Sequence, residues 1–244
     1  MKRSRYALPL TVSGLALLAF CGASAYDRFL PVLPTKMDAQ AVRLGGIIDP
    51  HTGQRLGFDP RLEHGPSKPL PANGKVGLNR PMPSFAFADY AGKSHQMSDY
   101  KGQVTIFTFV FAACPCTRAY NDRMKQLESQ YKAQGVNLVY LYADPSESLQ
   151  TVQAFSQRQN YDWTLVRDGG QPLVKLFDAH CSTETYLVDR AGVLRYHGRI
   201  DDEIFSPESV KEASLELALK AVLANKPVAH PERPVFACSI PRKA

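Results

Sequence analysis

The stretch Val104-Thr105-Ile106-Phe107-Thr108-Phe109-Val110-Phe111-Ala112-Ala113-Cys114-Pro115-Cys116-Thr117 decides how this chain reads. Its first eight residues are all β-branched or aromatic and none is charged, the composition of a strand buried on both faces. From Thr117 to Gln134 the sequence turns polar, with Tyr120, Met124, Leu127 and Tyr131 at helical spacing, so a helix with one core-facing stripe follows. Two thiols therefore stand at a strand-to-helix junction. Pro115 suits the first helical position, because it lacks only an N–H that would be unpaired there, and this puts Cys114 at the N-cap. The aligned peptide dipoles favour a thiolate at that place, and the thiolate is the form that attacks disulfides and binds soft metals. Cys114 is accordingly expected to be more exposed and more acidic than Cys116, which sits within the turn. The bland alternative is a pair of small buried hydrophobes or a structural disulfide.

Working outward to the N-terminus, Lys2, Arg3 and Arg5 precede an uncharged stretch from Tyr6 to Tyr26 that ends in the small residues Ala23-Ser24-Ala25. Residues 1–26 read as a signal peptide or, if retained, as an N-terminal membrane anchor, since the stretch is about long enough for a ~30 Å hydrocarbon core. Cys21 belongs to this hydrophobic segment. The expected location is periplasmic or otherwise extracytoplasmic, with anchoring to the inner membrane through residues 6–26 left open. About 218 residues follow, enough for one sizeable core with arms. Three of the six net positive charges lie in the leader and the rest are mixed with acids, so nothing calls for nucleic acid. Four cysteines remain, Cys114, Cys116, Cys181 and Cys238, in a compartment where disulfides persist.

Residues 27–82 are interrupted by Pro31, Pro34, Pro50, Pro60, Pro66, Pro69, Pro71 and Pro81 and read as an extended arm. Within it Val42 to Ile48 suits a short strand, 49–53 a turn, and His51 and His64 solvated loops. The compact domain spans 83–227. It opens with the alternating strand Ser84 to Phe87, then the buried strand and the helix at the cysteines. A strand at Val136 to Tyr142, a helix from Leu149 to Gln159, a short strand at Trp163 to Val166 and a short helix at Gln171 to Phe177 follow. Thr185 to Val188 and Val193 to Gly198 form a hairpin about Asp189-Arg190-Ala191-Gly192, and Pro207 to Ala224 is a closing helix. This order implies an α/β fold, a mixed central sheet with helices on both faces. Residues 228–244 form a tail.

Met97-Ser98-Asp99-Tyr100-Lys101-Gly102-Gln103, Phe111-Ala112-Ala113-Cys114-Pro115 and Thr185-Tyr186-Leu187-Val188-Asp189-Arg190-Ala191-Gly192 occur in that order. Together they resemble the thioredoxin-like redoxin family, which includes alkyl hydroperoxide reductase/thiol-specific antioxidant proteins and TlpA-like exported oxidoreductases. The resemblance covers about residues 82 to 226. It implies a thioredoxin-like fold and a thiol-disulfide oxidoreductase acting on protein thiols or disulfides of the cell envelope, without a cofactor. Cys114 would attack and Cys116 resolve, with Cys181 as the competing partner for Cys114, while Pro115 and Thr183 would face the substrate. Three departures stand out. The motif is Cys-x-Cys rather than Cys-x-x-Cys. Thr183 occupies the place of the family's cis-proline. Thr108 stands where thioredoxins carry a buried acid, which leaves Glu184 as the nearest candidate for proton transfer, against the plainer reading of a surface glutamate.

His180 and Cys181 add a second constellation, because in this fold the loop before the hairpin faces the start of the cysteine-bearing helix. Two thiolates and an imidazole suit copper or zinc. The pattern is similar to Sco copper-delivery proteins, with Cys114, Cys116 and His180 as ligands, although Sco motifs separate their cysteines by three residues. A thiol peroxidase is a weaker alternative, since Val110-Phe111-Ala112-Ala113 lacks the Pro-x-x-x-Thr-x-x-Cys signature. A non-catalytic interaction module of the envelope is another. Cys238, in Pro234-Val235-Phe236-Ala237-Cys238-Ser239-Ile240-Pro241, reads as a resolving thiol, as a metal ligand on a mobile arm, or as part of a tail held by packing of Phe236 and Ile240.

Overall fold

The computed structural model describes the backbone of Ile47–Ile48 and Arg55–Leu56 and residues 67–243. The leader at 6–26, His51 and His64 lie outside the described residues. Ile47–Ile48 (β1) and Arg55–Leu56 (β2) pair antiparallel; the turn expected at 49–53 lies outside the described residues. A second antiparallel pair, Ala86–Ala88 (β3) and Ser94–Gln96 (β4), flanks the turn at Gly92, whose φ of 85° suits a residue without a Cβ. The first strand of the compact domain thus starts two residues later than the expected Ser84 to Phe87 and ends one residue later, and it has a partner that the sequence pattern did not mark.

Five strands form the main sheet: Val104–Val110 (β5), Val136–Tyr142 (β6), Thr164–Arg167 (β7), Thr185–Val188 (β8) and Leu194–Gly198 (β9), in the order β7-β6-β5-β8-β9. β5 pairs parallel with β6 and antiparallel with β8, so the sheet is mixed. All seven residues of β5 are buried because strands flank both its edges and apolar layers cover both its faces. Val104, Ile106 and Val110 pack with Pro115–Tyr131 (α1), Leu149–Gln159 (α2) and Ser214–Leu223 (α4). The opposite face, with Phe107 and Phe109, carries Pro172–Phe177 (α3), the β3–β4 region and the C-terminal tail. Side-chain alternation along one strand therefore sorts the molecule into two layers, and both cysteines of the motif fall in the layer that contains the tail.

Tyr120, Met124, Leu127 and Tyr131 are all buried, as their spacing predicts. α4 is shorter than the periodic stretch from Pro207. Only Pro207–Ser209 forms a 3₁₀ turn ahead of it, because the Asp202 carboxylate accepts the N–H groups of Lys211 (2.9 Å) and Glu212 (3.0 Å) and draws that backbone out of helical geometry. No described helix is long and apolar enough to cross a membrane.

Candidate functional site

Cys114 is the N-cap of α1, with extended backbone angles (φ −72°, ψ 126°) and Pro115 immediately inside the helix. Its carbonyl accepts from the Arg118 N–H at 3.2 Å, which starts the helical ladder. The Cys114 Sγ lies 3.1 Å from the Ser182 hydroxyl and 3.0 Å from the Cys238 Sγ. Cys238 Sγ is in turn 4.0 Å from Cys116 Sγ, and the three sulfurs all fall within 4.8 Å of one another. The expected partner Cys181 and the expected ligand His180 do not join this group. What the fold brings to the motif instead is Cys238, from the end of the chain.

The tail reaches the site as a short strand-like segment. Cys181 and Ser239 form an antiparallel bridge, the Ser182 N–H donates to the Cys238 carbonyl at 2.8 Å, and the Ile240 N–H donates to the His180 carbonyl at 2.8 Å. Val235, Ala237 and Ile240 are buried, whereas Phe236 is 55% exposed, so Ile240 anchors the tail and Phe236 does not. Under this cover the expected difference in exposure between the motif thiols all but vanishes: Cys114 is 3% exposed, against 2% for Cys116.

The expected order of acidity is retained in spite of the burial. Burial by itself raises the Cys114 thiol, but hydrogen bonds from Cys116, Cys238, Ser182 and the Thr117 backbone outweigh it and hold Cys114 well below an ordinary thiol. The partners move the opposite way. Cys116 is driven up by its hydrogen bonds to Cys114 and Cys238 and by burial, and Cys238 is pushed up to about 12, chiefly by its bond to Cys114. One thiolate among neutral donors is the arrangement that results. Cys181, raised to about 12 by burial and then by the Glu184 charge, is held as a thiol.

Glu184 is not a surface residue. It is fully buried, with one oxygen accepting from the backbone N–H groups of His180 (2.7 Å) and Cys181 (3.0 Å) and the other meeting His197 Nε2 (2.7 Å) and the Tyr186 hydroxyl (2.9 Å). Burial pushes it up, yet these donors, His197 first, hold it below the usual carboxylate range. It shapes the 180–184 loop. Thr183 takes a left-handed φ of 59° where the cis-proline was expected to be missing, and its N–H donates to the Phe109 carbonyl at 2.6 Å, so the backbone donor that a proline would lack is used to pin the loop to β5. Thr108, in place of a buried acid, meets the Thr185 hydroxyl at 3.3 Å.

An acid does lie near the motif, but it comes from the β6–α2 connection. Glu147 is 6% exposed; one of its oxygens accepts from the Ala113 N–H at 3.0 Å, while the other meets no hydrogen-bond donor among the described residues. Burial pushes it up to about 7. Its only sequence cue was the turn Asp144-Pro145 that carries it back over the helix start. His197, the ion-pair partner of Glu184, was likewise unmarked.

The model of the AhpC/TSA family matches residues 78–197, which span the motif, the sheet and its two final strands. These residues form an AhpC/TSA-family domain. Over 121 residues, the chain is 27% identical to the thiol-disulfide oxidoreductase ResA of Geobacillus kaustophilus, covering 49% of this chain and 68% of that protein. A crystal structure of a hypothetical protein from Sinorhizobium meliloti superposes with a TM-score of 0.63 at 25% identity, over 69% of this chain and 96% of that one. A putative thiol:disulfide interchange protein DsbE from Chlorobium tepidum matches at a TM-score of 0.52 and 22% identity, over 61% and 99%, and shares the thioredoxin-like fold. Cys114, Cys116, Cys181 and Glu184 lie inside the AhpC/TSA domain, whereas Cys238 lies beyond it.

Proposed function

We propose that this protein is an exported thiol-disulfide oxidoreductase that acts on protein thiols or disulfides of the cell envelope. The observation that carries the reading is the N-cap Cys114 sulfur, held as the most acidic thiol of its cluster by two neighbouring thiols, a hydroxyl and the first helical turn. The resemblance to ResA supports the same reaction, and the basic residues before the apolar 6–26 stretch support export.

Cys114 is the attacking thiolate. Pro115 sets the helix start that stabilises it, and Thr183 fixes the loop opposite. Glu184 serves as a positioning residue, since its carboxylate is consumed by the loop backbone and His197 and makes no contact with a sulfur of the cluster. Cys114→Ser is expected to abolish reduction of insulin or isomerisation of a scrambled substrate, because no other cysteine among the described residues is held acidic. In the native protein Cys114 is expected to alkylate at lower pH than Cys116; the reverse order would refute the assignment of roles.

Copper binding remains the second reading, and the three clustered sulfurs favour it with a changed ligand set, Cys238 taking the place assigned to His180. Metal content measured together with a disulfide map separates the two. Stoichiometric copper bound only by the reduced protein would replace the oxidoreductase reading.

A further inference from the structure

We propose that Cys238 is the thiol that resolves Cys114, so that the oxidised form of the protein is a Cys114–Cys238 disulfide that ties the C-terminal tail to the start of α1. This inference rests on the oxidoreductase reading and names a catalytic residue outside the AhpC/TSA domain.

Three observations carry it. The Cys114 and Cys238 sulfurs are 3.0 Å apart, and closing to a bond of about 2.05 Å needs only about 1 Å of movement. Cys116 donates a hydrogen bond to Cys114 but is less free to bond with it: it lies inside the first turn of α1 and is locked in the core at 2% exposure, so closing a Cys-x-Cys ring would distort the helix start. The tail, in contrast, is a separate element that can adjust without disturbing the helix. Its position is also built rather than incidental, because backbone hydrogen bonds hold it on both sides of Cys238: Ser182 to Cys238 itself, Ile240 to His180, and Val235 with Ser67 (Ser67 N–H to Val235 carbonyl, 2.9 Å; Val235 N–H to Ser67 hydroxyl, 3.1 Å). Finally, the same segment covers Cys114. A substrate must displace the tail to reach the sulfur, and the return of the tail delivers Cys238 to the mixed disulfide.

The chemistry balances in two exchanges. The Cys114 thiolate attacks one sulfur of a substrate disulfide, forming a Cys114–substrate disulfide and expelling the other substrate sulfur as a thiolate that takes up a proton. Cys238 then loses its proton and attacks the Cys114 sulfur. The Cys114–Cys238 bond forms, the bond to substrate breaks, and the second substrate thiolate accepts a proton. Two electrons pass from the two protein thiols to the substrate disulfide, and a dithiol donor returns the protein to its reduced state. Cys116 stays reduced throughout, as a hydrogen-bond donor to the Cys114 thiolate.

The test is a disulfide map of the full chain after reaction with oxidised glutathione, quenched in acid and alkylated before proteolysis. A Cys114–Cys238 linkage with Cys116 recovered alkylated is expected; a Cys114–Cys116 linkage would overturn the proposal. In parallel, Cys238→Ser is expected to accumulate glutathionylated Cys114 about tenfold or more above the unmodified protein, while Cys116→Ser is expected not to. Accumulation in Cys116→Ser alone would likewise overturn it. Failure of Cys114 to exchange with glutathione at all would instead refute the oxidoreductase reading, so the two failures are distinct.

Discussion

Two buried glutamates sit on either side of the helix start, and they are in opposite states. Glu184, on the 180–184 loop, has every oxygen occupied and is held ionised by His197, whose other ring nitrogen lies 3.1 Å from Glu232. Glu147, on the β6–α2 connection, has one oxygen satisfied by the Ala113 N–H and one without a donor among the described residues, and burial pushes it up to about 7. Burial is similar, so burial does not decide the charge. The number of donors aimed at each carboxylate does, because an ionised group in a low-dielectric site must be hydrogen-bonded or give up its charge. The side of the site that must hold a loop in shape uses the saturated carboxylate, and the side that faces the motif keeps one that can exchange a proton near neutral pH.

The largest expected effect is on the saturated side. Glu184→Leu takes the buried carboxylate from His197 Nε2 and from the His180 and Cys181 N–H groups, leaving His197 with Glu232 alone, which should cost about 3–5 kcal/mol in urea unfolding at pH 7. A cost below about 1 kcal/mol would show that the loop is held by the tail instead.

The pH dependence of stability separates the two sides next. The lowered Glu184 contributes stability that is present above the carboxylate's ordinary value of 4.5 and is lost as pH falls through its folded value. Burial lowers His197, but the pair of glutamates raises it overall, so its contribution is present below 6.5 and fades as pH rises through its folded value. Glu147 behaves in the reverse sense to Glu184: raised from 4.5 to about 7, it makes the folded state lose stability as pH climbs through that interval. Glu147→Gln should therefore raise the melting temperature at pH 8 and leave it nearly unchanged at pH 4. An equal shift at both values would mean that Glu147 is not titrating.

A smaller effect is expected on the thiol. Ionised Glu147 opposes a second negative charge at Cys114, so the alkylation rate of Cys114 against pH should carry an inflection near 7 that disappears in Glu147→Gln. The smallest effect concerns the exposed ends of the helices. Lys220→Ala, which removes the 2.8 Å pair with Glu216 on α4, should change stability by only about 0.3–0.5 kcal/mol, because solvent screens that pair as it cannot screen the one between Glu184 and His197.

Much of the frame was legible in the residues themselves. The uncharged run of β5, the stripe on α1 and the turn Asp189-Arg190-Ala191-Gly192 are local signals. In the last of these the Asp189 carboxylate accepts the N–H groups of Ala191 and Val193 at 2.9 Å, and Gly192 takes φ 79°. Strand ends shifted by a residue or two, and α4 lost its first turns to Asp202, a contact that no periodicity records. The site divided in the same way. Cys114 at the N-cap of α1, with Pro115 after it, follows from the order of residues along a few positions, whereas the acidity of its sulfur draws on Cys238 and Ser182 as well as on its neighbours Cys116 and Thr117.

What tertiary structure alone decided is which groups meet that sulfur. Cys238 is far along the chain from Cys114, and Glu184 meets His197 from the neighbouring strand, so neither contact leaves a mark in spacing. Both arise because the strand order brings the 180–184 loop beside α1 and because the tail pairs with that loop through backbone hydrogen bonds. Local chemistry along the chain settles which thiol caps the helix; long-range packing settles whether that thiol is exposed, which groups donate to it and which thiol stands close enough to bond. A helix start is made by neighbours in sequence, whereas a hydrogen-bonded cluster of sulfurs exists only when separate segments are held against each other by the same buried sheet.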